Sequence, residues 1–123
     1  MNKADAIRSV YTDPESVIRL TAEDFRIHSA GNNPIAGVTT GLPANKARFD
    51  RMDEMTGGTF RHDLVGLCVV NDTWGMSVVQ LFGERNGKSM DMTGFGLWQF
   101  DGDKITDHWE CPSDQKAWDE FWS

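Results

Sequence analysis

The sequence is poor in the residues that hold a fold together covalently or through a metal ion. It contains two cysteines, Cys68 and Cys111, and three scattered histidines. None of them shows the close spacing of a metal site, and no calcium loop or phosphate-binding glycine motif is present. We therefore expect no metal and no cofactor, and we expect the two cysteines to be small, mostly buried side chains.

Positive charge is also scarce. Lysine and arginine together number 12 against 19 aspartates and glutamates, which gives a net charge of -7 and an isoelectric point near 4.8. Such a chain repels a phosphate backbone, so we expect no nucleic acid partner. There is no apolar run long enough to span a bilayer and no charged leader followed by an apolar segment. We expect a cytoplasmic protein that does not bind membranes.

What the sequence does have is enough apolar volume for one core. It has 123 residues with a hydrophobic fraction of 39%, and it includes five tryptophans and seven phenylalanines. A chain of about this length buries about two-thirds of its unfolded surface. Large aromatic side chains supply much of that area. We expect a single domain over residues 1–123.

The first half of the chain predicts short helices around one strand. Apolar residues recur with helical spacing over residues 4–11 and 42–55, and a proline-led segment at residues 14–20 begins another helix. Residues 25–28 alternate as a short strand. Residues 31–41 are rich in glycine, asparagine and proline and predict a loop able to border a site.

The second half predicts an antiparallel sheet. Four long segments have strand character and are separated by turn residues: 59–70, 73–85, 88–100 and 104–111. Asn86-Gly87 is a strong hairpin signal, because a type I′ turn requires positive φ at both central positions. Long antiparallel strands coil, and glycines within them favour bending. The predicted class is α+β: a cone-shaped, strongly curved mixed or antiparallel sheet with about three N-terminal helices around an internal pocket.

The C-terminal residues predict one more helix. Trp118, Phe121 and Trp122 follow Pro112 and Ser113 with the spacing of one helical face. This segment either closes one edge of the sheet or exposes its aromatic side chains as an anchor for another protein.

Four short motifs occur in a fixed order along the chain. They are Asn33-Pro34-Ile35-Ala36-Gly37, Gly57-Gly58-Thr59-Phe60, Asp101-Gly102-Asp103-Lys104-Ile105 and His108-Trp109-Glu110. Together with the order of helices and strands, they resemble the SnoaL-like branch of the nuclear transport factor two-like superfamily over nearly the whole chain. The resemblance implies a cone of helices and a curved sheet, commonly paired as a homodimer through the outer sheet face. It does not choose a reaction, since the superfamily includes polyketide cyclases, ketosteroid isomerase, limonene epoxide hydrolase and scytalone dehydratase.

Ketosteroid isomerase chemistry is not expected. That enzyme uses a carboxylate base and an oxyanion site made of a tyrosine and a protonated aspartic acid. Matched to it through the motifs, His28 stands at the position of the base and Gly96 at that of the aspartic acid. Tyr11 lies too close to the second helix to match the tyrosine.

Three residues are candidates for proton transfer: His28, His108 and Glu110. His28 follows the short strand and precedes the glycine-rich loop, and an imidazole exchanges a proton near neutral pH. The resemblance places His108 and Glu110 on the pocket wall, where the carboxylate could orient an imidazole. Alternatively, His28 hydrogen-bonds within its loop, and His108 and Glu110 decorate an exposed edge strand. His62 is expected on the surface.

Five residues are candidates for binding a substrate: Trp98, Gly96, Met92, Gln80 and Phe82. Gly94 and Gly96 are expected to leave space on the strand face that carries Trp98, which suits a flat or hydrophobic ligand. Gln80 is a polar residue within an apolar strand and needs a partner if it is buried. The alternative is that the aromatic and methionine side chains simply fill the core.

Two functions are compatible with these residues. The first is a cofactor-independent acid–base enzyme that acts on a small apolar organic molecule by isomerisation, cyclisation, dehydration or epoxide opening. The second is a non-catalytic module that binds a small molecule or forms a dimer. Convergence of His28, His108 and Glu110 on one cavity would favour the enzyme.

Overall fold

A computed structural model describes residues 2–123, which form four helices and six strands. In chain order the elements are α1 (Lys3–Thr12), α2 (Ser16–Leu20), β1 (Thr21–Ser29), β2 (Gly37–Thr40), α3 (Leu42–Met55), β3 (Arg61–Val69), β4 (Trp74–Arg85), β5 (Lys88–Asp101), β6 (Lys104–Pro112) and α4 (Gln115–Trp122).

Local chemistry sets several boundaries. The Asn2 side chain caps α1 by accepting a hydrogen bond from the Asp5 amide at 2.8 Å. A proline occupies the first turn of α3, where its missing N–H costs nothing.

The six strands form one curved, unclosed sheet in the order β2-β1-β6-β5-β4-β3. Every neighbouring pair is antiparallel except β1 and β6, which run parallel. The β4–β5 hairpin turns at Asn86 and Gly87, with φ values of 51° and 77°. Both are positive, as a type I′ turn requires. The α+β class with a curved mixed sheet is therefore confirmed.

One strand was not expected from the sequence. Residues 31–41 were predicted as a loop, but Gly37–Thr40 pairs with the end of β1 as β2. The residues before it are typical of turns, and Gly37 itself has a φ of 113°. This composition gives no sequence signal for a strand of only four residues. Short strands of this kind depend on a neighbour for their hydrogen bonds and carry a weak sequence signal.

The helices pack against the concave face of the sheet, which we call the inner face, and they build two core clusters there. One cluster joins α1 to β1, β5 and β6 and includes Ile7, Phe25 and Phe100. The other joins α3 and α4 to β4 and β5. Tyr11 and Phe49 pack against both clusters. The space between them is therefore bordered mainly by apolar side chains.

The C-terminal helix closes one end of the inner face. Asp114 caps α4 by accepting a hydrogen bond from the Ala117 amide at 3.0 Å. Trp118, Phe121 and Trp122 are all buried, at 3%, 3% and 0% exposure. The helix is thus confirmed as a closing element, and the alternative of exposed aromatic side chains that anchor another protein is wrong.

A β-bulge interrupts β6. Gln99 of β5 lies opposite Asp107, but the next residue, Phe100, lies opposite Ile105, so Thr106 has no partner across the ladder. Ile105 and His108 therefore both face the core although they are three residues apart. In a strand without the bulge, alternation would put them on opposite faces.

The two cysteines lie on strands β3 and β6 and both are free and exposed. The expectation that they are mostly buried is wrong. Cys68 and Cys111 have their side chains on the convex face of the sheet, which we call the outer face and which no helix covers.

Candidate functional site

A cavity of about 1110 Å³ occupies the inner face between the two core clusters. Most of its wall is apolar, and its large side chains are Phe25, Phe49, Phe60, Leu81, Trp98 and Trp118. Exposed lining residues, among them Glu15, Ile18, Pro43 and Lys46, place its mouth between α2 and α3. The volume and the apolar lining are those of a site for a small organic molecule.

A directed chain of hydrogen bonds reaches the cavity at Tyr11. The Trp98 indole N–H donates to Ser77 Oγ at 2.9 Å, and Ser77 Oγ lies 2.9 Å from Tyr11 Oη. An indole nitrogen only donates, so Ser77 accepts from Trp98. Ser77 is fully buried, and among residues 2–123 its hydroxyl hydrogen finds no other acceptor than Tyr11. Tyr11 therefore accepts from Ser77, and its own O–H is free to donate to a ligand.

The phenol remains protonated throughout the physiological range. Burial raises the pKa of Tyr11 to about 12, opposed by the hydrogen bond from Ser77. Tyr11 is thus a hydrogen-bond donor and not a base.

His108 lies beside the Trp98–Ser77–Tyr11 hydrogen bonds as a neutral imidazole. Its ring stacks on Trp98 with centroids 3.7 Å apart, and its Nδ1 lies 3.2 Å from the carbonyl oxygen of Leu97. Because that carbonyl can only accept, Nδ1 carries the proton and Nε2 is left as an acceptor. Burial lowers the pKa of His108 to about 4, against the opposing influence of the Glu110 charge.

Glu110 lines the cavity and forms a buried ion pair with Arg48. The Arg48 guanidinium donates to both of its carboxylate oxygens, at 2.9 and 2.7 Å, and also to the carbonyl oxygen of Ile35 at 3.0 Å. Burial alone would raise the pKa of Glu110, but Arg48 outweighs that effect and holds it below its usual value. Glu110 is therefore a fixed negative charge that acts on His108, His62 and Tyr11.

His62 is the third polar group of the cavity, and it corrects a prediction. The sequence placed it on the surface, but it lines the cavity and contacts the ring edges of Tyr11, Phe49 and Phe60 at centroid distances of 5.3, 6.2 and 5.7 Å. Burial lowers the pKa of His62, opposed by Glu110 and Asp63. No residue among 2–123 forms a hydrogen bond with its ring. It is a neutral imidazole with both nitrogens available.

His28 does not join this group. It lies on the outer face of β1, where its Nε2 is 2.7 Å from an Asp107 oxygen that also accepts from Arg26. Its ring stacks on Trp109 at a centroid distance of 4.4 Å. The prediction that His28 shares a cavity with His108 and Glu110 is therefore wrong, because alternation along β1 turns Phe25 and Ile27 inward and His28 outward.

Two of the predicted substrate-binding residues also face outward. Gln80 donates to Asp91 at 2.7 Å, and the Phe82 ring lies under the Arg61 guanidinium at 4.3 Å. Their neighbours Val79 and Leu81 line the cavity instead. The placement of Gln80 and Phe82 in the pocket is thus wrong by one residue of strand register.

The other three candidates lie on the inner face. Trp98 and Gly96 line the cavity, whereas Met92 packs into the α3–α4 core cluster. Gly96 does not leave empty space. A Cβ atom there would lie 2.8 Å from the His108 ring, 3.0 Å from the Trp98 indole nitrogen and too close to the Ser77 hydroxyl. The glycine allows these three groups to approach one another.

Sequence reasoning missed Tyr11, Arg48, His62 and Ser77 as parts of the site. Tyr11 and Arg48 lie on helices with mixed faces, and only the packing against the sheet shows which face is buried. Ser77 alternates with Val79 and Leu81 on β4. That alternation was the one available signal, because it puts a hydroxyl on the apolar face of the strand.

Among residues 2–123, no three histidine, cysteine or acidic side chains group closely enough to hold a metal ion. Within the same residues no helix has the length and apolarity needed to cross a membrane.

Comparison with known proteins gives matches over the whole fold. Residues 7–108 match the SnoaL-like domain family. Bal32a, from a soil-derived mobile gene cassette, is 30% identical, with a TM-score of 0.91 over 98% of this chain and 95% of its own. A Xanthomonas campestris protein of unknown function with a cystatin-like fold is 24% identical, with a TM-score of 0.90 over 100% and 99% of the two chains.

A third structure, TerC co-crystallized with polyporic acid, is 16% identical and shares the fold with a TM-score of 0.80 over 95% of each chain. No curated protein matches.

Proposed function

Because the chain belongs to the SnoaL-like domain family, we propose that its cavity binds a small, mainly apolar carbonyl compound and transfers a proton on it without a cofactor. One observation carries the proposal. A hydrogen-bond donor of fixed direction, Tyr11, and two neutral imidazoles, His62 and His108, line the same apolar cavity. Enolisation needs two groups: a hydrogen-bond donor at the carbonyl oxygen and a base at the neighbouring C–H.

Each polar group has a role in this proposal. Tyr11 donates to the carbonyl oxygen of the ligand and stabilises the negative charge that develops there. His62, whose ring forms no hydrogen bond with any residue from 2 to 123, takes the proton from the carbon next to the carbonyl. The Glu110 charge favours the imidazolium that results. His108 is a weaker base and accepts a hydrogen bond from a ligand hydroxyl through Nε2.

The reaction balances without an external reagent. The C–H electron pair moves into the enolate, and the proton on His62 returns to the same molecule. Return to another carbon gives isomerisation, attack of the enolate on a second carbonyl gives cyclisation, and loss of a hydroxyl as water gives dehydration. Each outcome belongs to the reaction classes expected from the sequence.

Deuterium exchange into an enolisable ketone tests the proposal. With 2-tetralone in D2O, NMR should show exchange next to the carbonyl that depends on the protein. His62→Ala should slow it by about 10²–10⁴-fold, and Tyr11→Phe should slow it while the ketone still binds. His28→Ala, on the outer face, is the matched control and should exchange at the wild-type rate. Equal rates for the wild-type protein and His62→Ala would contradict the assignment of the base.

The second candidate function is a ligand-binding module without catalysis. The low pKa of His108, about 4, favours it, since so weak a base holds few protons near neutral pH. Binding of 2-tetralone without any exchange above the buffer rate would support this function over the enzyme.

The outer face supports a proposed homodimer. Strands β4, β5 and β6 place a row of apolar side chains on it: Met76, Val78, Phe95, Leu97 and Trp109. Met76 and Phe95 are each 41% exposed. Apolar area of this kind on an uncovered sheet marks a contact surface. Sedimentation should give a dimer for the wild-type chain and a monomer for Phe95→Glu, and a wild-type monomer would contradict the proposal.

A further inference from the structure

The charged side chains around the cavity are unevenly paired. Among residues 2–123 two cations border it: Lys46 at the mouth, and Arg61, whose guanidinium lies over the Phe82 ring on the outer face. Lys46 Nζ lies 2.8 Å from an Asp50 oxygen and Arg61 Nε lies 2.9 Å from an Asp63 oxygen. Each lining cation is therefore already occupied by a carboxylate that also lines the cavity.

The carboxylates are in excess. Glu15 and Asp53 line the cavity near its mouth, and neither takes part in an ion pair with any residue from 2 to 123. Glu110 adds a fixed negative charge deeper inside, where Arg48 uses its donors on Glu110 and Ile35. Both lining imidazoles are neutral at pH 7, since burial lowers the pKa of each.

We infer that the cavity accepts ligands that are uncharged at neutral pH and rejects carboxylates, sulfonates and phosphates. This inference rests on the proposed binding function and narrows its substrate class to neutral carbonyl compounds. An anion that enters must lose its water without gaining a cationic partner. It must also pass Glu15 and Asp53 at the mouth, whose negative charges repel an anion that approaches from the solvent.

Two probes with the same ring system test the inference: 2-acetylnaphthalene, which is neutral, and 2-naphthoate, which is an anion. Both offer Tyr11 an oxygen acceptor, so charge is the main difference between them. Calorimetric titration should show that the ketone binds at least about 10-fold more tightly than the carboxylate at low ionic strength. Equal or tighter binding of 2-naphthoate would overturn the inference and leave the binding function standing.

A pair of double variants separates the local charge from the net charge. Glu15→Gln with Asp53→Asn neutralises the mouth, and the preference for the ketone should fall by about twofold to fivefold. Asp72→Asn with Asp103→Asn makes the same change in net charge on two turns that do not line the cavity, and it should keep the wild-type preference. An equal fall in both would overturn the role of the mouth. Failure of the ketone to bind at all would contradict the proposed function itself, and the inference with it.

Discussion

Histidines lie on both faces of the sheet, but their surroundings on the two faces differ. On the inner face, His108 and His62 are enclosed by aromatic rings and stay neutral. On the outer face, His28 bonds to Asp107 and stacks on Trp109 at the surface. The strands alternate between these environments one residue at a time. The chemistry of a histidine in this fold is therefore set by the face it occupies more than by its place in the sequence.

The same contrast holds for the two arginine–carboxylate pairs. Arg48 and Glu110 have side-chain exposures of 6% and 15%, whereas Arg26 is 50% exposed over a buried Asp107. Water can replace Arg26 but cannot easily replace Arg48. Removal of one partner should therefore have different consequences on the two faces.

The largest effect is expected for Arg48→Met. The change leaves Glu110 charged and buried without its partner, and it should cost about 3–5 kcal/mol of unfolding free energy in urea denaturation at pH 7. Arg26→Met is the matched control on the outer face and should cost far less, since solvent and His28 remain at Asp107. Comparable losses for the two variants would contradict the contrast between the faces.

The same variant has a pH signature. In the wild-type chain the pKa of Glu110 is held below its usual value, so its contribution to stability is present above the unfolded pKa and is lost as the pH falls through the folded one. Without Arg48, burial is unopposed and raises this pKa. The loss of unfolding free energy in Arg48→Met, relative to the wild-type chain, should then become smaller as the pH is lowered towards 4, because burying a neutral carboxyl group costs less free energy than burying a carboxylate.

Next in size is the pH dependence that comes from His108. Its folded pKa is about 4 against an ordinary 6.5. Between these values the unfolded chain takes up a proton that the folded chain does not, so stability should fall as the pH drops from about 6.5 to about 4, by up to about 3 kcal/mol. His108→Gln should flatten this part of the profile and leave the slopes from His62 and, towards pH 4, from Glu110. A His108→Gln profile as steep as the wild-type one would rule out His108 as the source.

A smaller effect is expected for Gly96→Ala. The added methyl group would push against His108, Trp98 and Ser77, and such overpacking costs about 1–3 kcal/mol. Gly66→Ala on β3 is the control, because a Cβ there meets nothing within 4 Å and alanine loses less backbone entropy than glycine. Thermal unfolding should show a lower midpoint for the first variant and an unchanged or higher one for the second.

The smallest effect concerns the outer face itself. Cys68 is exposed and free, so Cys68→Ser should change the unfolding free energy by less than about 0.5 kcal/mol. In the Phe95→Glu monomer the Cys68 thiol should react with a disulfide reagent while the protein is folded, and in the wild-type dimer it should react more slowly, because Cys68 lies opposite Met76 on the outer face. Equal reaction rates in the two proteins would contradict the proposed dimer contact.

Much of the fold was predictable because its signals are local. The Asn86-Gly87 turn, the four long strands and the spacing of Trp118, Phe121 and Trp122 each specify structure within a few residues. Strand β2 was missed, since its partners on β1 lie eight to fourteen residues back along the chain and its own residues carry no strong preference.

The site was harder to predict, because the face of the sheet on which a residue lies depends on contacts between distant elements. His28, Gln80 and Phe82 were placed inward, and packing of the helices turned their strand neighbours inward instead. His62 was placed on the surface and Arg48 was not recognised, since a polar residue in a mixed segment gives no sign of the aromatic rings or the carboxylate it will meet. His108 and Glu110 were placed on the cavity side through the family resemblance, because strand alternation alone does not show which face is the inner one.

The bulge in β6 has a genetic consequence. Thr106 is the residue without a partner, so loss of its codon would leave Ile105 and His108 both facing inward, in a regular strand. Loss of the codon for Trp109 would instead rotate every later residue of the strand, which would turn the Glu110 side chain to the outer face and the Cys111 side chain to the inner face. Two three-nucleotide deletions only nine nucleotides apart should therefore have opposite fates, one tolerated and the other fatal to the site.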